Sequence, residues 1–215
     1  MRSLTFAKAA AALALLCTPA SAALVNGNFD ADPVANGSST CSGTIGFTGW
    51  NSFGFSCGTG LHNPDATQYP GGLAPSGDNV AYHNGNAGFW QAASDIYTAG
   101  TTYTFNILVG QRLDETFSGY TLELRAGTGL GPLVASVMNS AGPAPGQFIP
   151  ASVSFTPGVG SGVLGQNVVV VFRGGSAGTQ TSFDNATLTS SVPEPATYAL
   201  VGSALIALAW RRKRG

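Results

Sequence analysis

Between Ala23 and Ser191 the sequence has no lysine, and its only basic residues there are Arg112, Arg125 and Arg173. Asp30, Asp32, Asp65, Asp78, Asp95, Asp114, Glu115, Glu123 and Asp184 oppose them, so three minus nine leaves this stretch at −6. An acidic, lysine-free surface excludes nucleic acid as a partner and argues against an anionic membrane surface, since both need clustered positive charge. Histidine is also scarce. His62 and His83 lie 21 positions apart without ligand spacing, which excludes a His-built zinc site and makes both read as surface-loop residues. Cysteine is limited to Cys17, Cys41 and Cys57. Amphipathic helices of convincing length and internal repeats are lacking as well. Glycine is plentiful instead, at 30 residues beside 12 prolines in 215, which favours many short elements joined by turns.

The two ends differ from this middle. Residues 1–22 carry Arg2 and Lys8, then a short apolar run from Ala9 to Cys17, then Pro19 and the small-x-small sequence Ala20-Ser21-Ala22. That order is a secretory signal peptide, with cleavage expected after Ala22. Cys17 then leaves with it. Cys41 and Cys57 remain as an even pair in an oxidising compartment, and a bond between them would close a loop of about 15 residues, worth roughly 3 kcal/mol. At the other end, residues 192–215 hold Pro193-Glu194-Pro195, an uncharged apolar run from Ala196 to Trp210, and Arg211-Arg212-Lys213-Arg214. The run spans about 22 Å as a helix against a bilayer core of about 30 Å, so it crosses only with thinning and snorkelling; the basic cluster keeps its tip in the cytoplasm.

This three-part tail resembles the PEP-CTERM sorting signal. The resemblance implies export in a Gram-negative bacterium that makes exopolysaccharide, and processing near the motif by an exosortase-type enzyme. Location at the cell surface or in the extracellular matrix follows. The physics agrees with a tag that is cut. Two prolines hold the motif extended, the apolar run keeps it at the membrane, and Arg211, Arg212, Lys213 and Arg214 stop transfer. A permanent C-terminal anchor is the alternative, with the same outside location.

The body, residues 23–191, reads as all-β. Leu24 to Phe29 alternates briefly. Thr102 to Ile107 and Tyr120 to Arg125 alternate with period two, and Val168 to Phe172 is a continuous apolar run, as in a strand covered on both faces. Asn79–His83, Gly88–Ala92, Leu133–Val137, Ala151–Phe155 and Phe183–Leu188 are further strands, and Asn63 to Asn79 is rich in turns. Strands every ten to fifteen residues predict a β-sandwich.

The order of features also resembles the galactose-binding-like jelly rolls, which include many carbohydrate-binding modules. The residues that carry this are Val25-Asn26-Gly27-Asn28-Phe29-Asp30, Gly49-Trp50, Trp90-Gln91, Ala99 to Phe105, Gly119 to Leu124 and Ser182 to Leu188. The resemblance implies a structural calcium ion held by Asp30 and Asp184 with carbonyls around Asn28. The first acid is Asp where Glu is frequent, which shortens its reach.

Catalytic patterns are weak. Gly174-Gly175-Ser176-Ala177-Gly178 has the Gly-x-Ser-x-Gly form, but no histidine follows it, and a triad of that type needs one. Asp114, Glu115 and Glu123 are candidate carboxylates for hydrolysis, although alternation sets Glu123 opposite Leu122 and Leu124 as a solvated charge. Trp50, Tyr69, Tyr82 and Trp90 offer rings for stacking on sugars. The neighbours of Trp90 place it in the core and leave Trp50 and Tyr82 as the ligand-binding candidates. The sequence thus predicts a non-enzymatic exported β-sandwich associated with exopolysaccharide, binding carbohydrate. A secreted hydrolase and a purely structural matrix protein are the alternatives.

Overall fold

The computed structural model describes residues 20–22, 24–43, 46–72, 74–175 and 180–192. The sorting motif Pro193-Glu194-Pro195, the basic cluster Arg211 to Arg214, Cys17 and Ser176 lie outside them. Among the described residues there is no helix, and none therefore that is long and apolar enough to cross a membrane.

Eleven strands form two antiparallel sheets. They are β1 (Ala20–Ala22), β2 (Asn51–Phe53), β3 (Thr59–His62), β4 (Val80–Asn84), β5 (Gly88–Ile96), β6 (Thr102–Gly110), β7 (Tyr120–Ala126), β8 (Leu133–Asn139), β9 (Phe148–Phe155), β10 (Asn167–Gly174) and β11 (Gln180–Ser191). One sheet runs β3-β4-β11-β6-β9, with β1 also on β11; the other runs β2-β5-β10-β7-β8. This is the β-sandwich that the alternation predicts. Pro150 sits in β9, an edge strand, where its missing N–H breaks no ladder.

The core lies between the sheets. Tyr103, Phe105, Ile107 and Val109 from β6 and Phe183 and Leu188 from β11 face Leu122 and Leu124 of β7 and Val168, Val170 and Phe172 of β10. Phe172 is its aromatic centre, with its ring 4.7 Å from Phe183, 5.1 Å from Trp50 and 5.4 Å from Phe89. Cys41 and Cys57 are bonded, tying the segment before β3 to the turn after β2.

Three expectations change. Leu24 to Phe29 is a turn, not a strand, because Asn26 and Phe29 take positive φ of 53° and 63°. Gln91 clamps that turn, accepting from Val25 N–H at 2.6 Å and donating to the carbonyls of Val25 at 2.9 Å and Gly49 at 2.7 Å. Residues 20–22 pair with Leu188–Ser190 in the uncleaved chain. His62 and His83 are not loop residues but strand residues, both buried. Glu123 is buried beneath Arg125 and Arg173 rather than solvated.

His83 faces the core, 5.0 Å from the Phe183 ring, and neither ring nitrogen meets a hydrogen-bond partner on another residue. Burial depresses its pKa from 6.5 to about 3. The unfolded chain therefore takes up a proton that the folded one refuses. The stability contribution is complete above pH 6.5 and is lost as pH falls from there toward 3, by about 3 kcal/mol at pH 4. Urea denaturation of His83→Leu should show a smaller loss between pH 7 and pH 4 than the parent. An unchanged pH dependence would assign the acid sensitivity elsewhere.

Candidate functional site

The N-terminal turn and β11 meet at a defect in the sheet. The pairing of β11 with β6 shifts register between Asp184 and Thr187, and Asn185 adopts a φ of 51°. This bulge frees Ala186 N–H to donate to Gly27 O at 2.8 Å. The backbones approach so closely that a side chain on Gly27 would strike the carbonyl of Ala186, which is the physical reason for glycine there. Trp50 Nε1 donates to Asn26 O at 3.0 Å and fixes the turn from the other side.

The structure places both predicted calcium residues here. Asp184 is fully buried; its Oδ2 accepts from Ser76 N–H at 2.7 Å and its Oδ1 from Asn185 N–H at 2.6 Å. Asp30 Oδ1 accepts from Asp78 N–H and Asn79 N–H, both at 2.9 Å, and Asn28 Nδ2 donates to Asp30 Oδ2 at 2.6 Å. The two carboxylates thus grip the two ends of the segment Ser76–Asn79, and a side chain on Gly77 would collide with Asp30. Burial pushes the Asp184 carboxyl up to about 8; the N–H bonds from Asn185 and Ser76 oppose this and the charge of Asp30 adds to it.

A cation fits this arrangement. Asn79 is buried, donates through Nδ2 to the carbonyls of Phe29 at 3.1 Å and Asp32 at 3.0 Å, and leaves its Oδ1 without a partner. Asn79 also lines a small cleft of about 160 Å³ together with Asp30, Pro33, Val34 and Asp78, whereas Asp184 is not part of its lining. Carboxylate, amide and backbone oxygens suit a hard ion such as calcium. Among the described residues, no three His, Cys, Asp or Glu side chains gather as a metal site, so amide and carbonyl oxygens would have to complete the shell.

The remaining candidates separate. Trp50 and Tyr82 do not offer open faces to a sugar. Trp50 is a core residue between Phe29 and Phe172, and Tyr82 is buried with its hydroxyl donating to Thr40 O at 3.0 Å. Tyr69 is also buried, stacked on Phe148 with ring centroids 4.7 Å apart. Trp90, expected in the core, instead lies half-buried on the outward face of the second sheet. It pairs with Val171 there, one position along the face from Arg173. Of the candidate carboxylates, Asp114 and Glu123 are each paired with arginine. Arg112 takes Asp114 through Nε at 2.8 Å, and Glu123 accepts from Arg173 Nε at 3.0 Å and from Arg125. The sequence signal that could have separated Trp50 from Trp90 is Gly49, whose φ of 83° turns the chain inward just before Trp50.

Comparison with known proteins bears on fold and sorting. The family model described as HpiC1 cyclase matches residues 20–189, and the PEP-CTERM protein-sorting motif matches residues 191–214. The Stig cyclase Fisc from Fischerella sp. TAU, in complex with (3Z)-3-(1-methyl-2-pyrrolidinylidene)-3H-indole, is 22% identical. It aligns over 82% of this chain and 100% of its own with a TM-score of 0.69. A cyclase from Fischerella sp. TAU in complex with 4-(1H-Indol-3-yl)butan-2-one is 24% identical over 81% of this chain and 99% of its own, at 0.68. The CBM22-1 xylan-binding domain of Paenibacillus barcinonensis Xyn10C reaches only 0.45, at 11% identity over 67% of this chain and 86% of its own. The curated proteins contain no match to the sequence. At these identities the solved structures establish the sandwich and no more, while the sorting motif implies export, membrane anchoring through the C-terminus and processing by an exosortase. From Ala20 to Thr189, the chain belongs to the HpiC1 cyclase family.

Proposed function

We propose that the body works outside the cell as a non-catalytic, calcium-stabilised β-sandwich associated with exopolysaccharide. The observation that carries this reading is the state of its carboxylates. Asp184 is sealed by backbone N–H groups, Glu123 lies under two arginines and Asp114 is held by Arg112. A glycoside hydrolase needs two carboxyls facing one cleft with room for sugar between them; these three are committed elsewhere, and the cleft that Asp30 and Asp78 share measures only about 160 Å³. Contact with carbohydrate moves from Trp50 and Tyr82 to Trp90, whose ring lies on an outward sheet face beside Arg173.

Ring-closing catalysis is the second reading, favoured by membership of a family described as a cyclase and by the indole compounds bound to its relatives. At that junction Asp184 is buried, whereas Asp30 and Asp78 line the small cleft and are the acids a substrate could reach.

Calcium should raise the melting temperature of the protein, and chelation should lower it. Asp30→Asn and Asp184→Asn should each abolish the calcium-dependent part; at a hundred-fold excess over Kd that part is about 2.7 kcal/mol. A melting temperature indifferent to calcium in the parent protein would remove the ion from the account. In native gels cast with polysaccharide, the protein should be retarded without releasing reducing ends, and Trp90→Ala should restore its mobility. Release of reducing ends would contradict the non-catalytic reading, and conversion of an indole-bearing substrate would favour the cyclase one.

A further inference from the structure

The two poles of the sandwich differ in charge. At one pole β5 passes to β6 through residues 97–101, β7 to β8 through 127–132, and β9 to β10 through 156–166. None of these three connections contains an Asp, Glu, Lys or Arg. They form one surface. Tyr97 N–H donates to Gln166 O at 2.9 Å, Gly165 N–H to Tyr97 O at 2.9 Å, Gly100 N–H to Pro157 O at 2.9 Å and Gly127 N–H to Asn167 O at 3.0 Å. The Tyr97 hydroxyl donates to Arg125 O at 3.2 Å. The opposite pole carries Arg112, Asp114 and Glu115 between β6 and β7.

The uncharged pole also displays apolar side chains. Val159 is 92% exposed, Val192 57%, Leu133 51%, Ile96 50% and Leu130 48%. The nearest charges turn aside: Arg125 folds back to donate to Gly131 O at 2.8 Å, leaving Asp95 as the neighbouring acid. The C-terminal end of the body is here: Ser191 pairs with Thr102 at the start of β6. From Val192 only four residues lead to Ala196, where the apolar run of the tail begins, a reach of at most about 14 Å.

We infer that this pole is a membrane-contact surface, on which Val159 and Leu130 enter the interfacial region of the lipid while the tail is uncut. Isolated exposed valines and leucines are ordinary on proteins. Others, such as Met138 and Leu113, lie toward the opposite pole, but these five lie around connections without charge at the end of the body from which the tethering tail leads, so collision with lipid is continuous and burial of each side chain is favourable. With no basic residue in the three connections, the contact needs no anionic lipid. It rests on the export and tail-anchoring reading. Cleavage of the tail would remove the tether and let this weak contact dissolve, releasing the body.

The test uses the full chain reconstituted in phosphatidylcholine–phosphatidylethanolamine vesicles that contain a nitroxide-labelled lipid. A fluorophore is attached at Val159→Cys, or at Thr116→Cys on the opposite pole as control. Quenching at 159 should exceed that at 116 by about two-fold or more, and adding Leu130→Asp should reduce it. Equal quenching at the two positions in vesicle-bound protein would overturn the contact while leaving the anchor intact. Failure of the chain to float with vesicles would overturn the anchor and the contact together.

Discussion

A single bulge in β11 sets the geometry of the candidate site. β11 hydrogen-bonds to β6 along one edge and to β4 and β1 along the other, so a local break in its pairing cannot be relaxed by moving the strand. The break must be filled instead. Gly27 fills one side through its carbonyl, and Ser76 fills the other through its N–H. The cost is a carboxylate, Asp184, buried without a cationic side chain and near a second one, Asp30. Buried charge of one sign calls for a counter-charge or a proton. A proton on Asp184 meets that demand, in keeping with a pKa raised to about 8, and a cation is the other way to meet it.

Alternation made most strands legible. Thr102 to Ile107, Tyr120 to Arg125 and the apolar run Val168 to Phe172 all fall within observed strands, and the two half-cystines near one another in sequence are bonded. The site was half legible: Asp30 and Asp184 meet around one segment, but the participation of Asn79 follows from a buried amide oxygen that no sequence pattern marks. The aromatic assignments failed for a physical reason. Period two says which residues share a face and does not say what covers that face. Trp50 enters the core because the turn at Gly49 and its bond to Asn26 O draw it in, whereas Trp90 points outward from a strand whose alternate neighbour Phe89 fills the core. Glu123 looked solvated for the same reason. Its face is outward, yet Arg125 and Arg173 lie over it and bury it.

The body and the tail are consistent with one another. A chain bound for the outside of the cell can rely on a disulfide, carries few groups that need cytoplasmic partners, and can use calcium, which is plentiful there. Family membership supplies the fold. A shared fold does not by itself transfer an activity.

The most direct test of this account is the intact mass of the protein recovered from its native host, from the cell surface and from the medium. Export with tail processing predicts a released species that lacks the signal peptide, ends near Pro193 to Pro195 and is two hydrogens light for the Cys41–Cys57 bond. A single species confined to the membrane fraction and retaining Arg211 to Arg214 would contradict it, making the tail a permanent anchor.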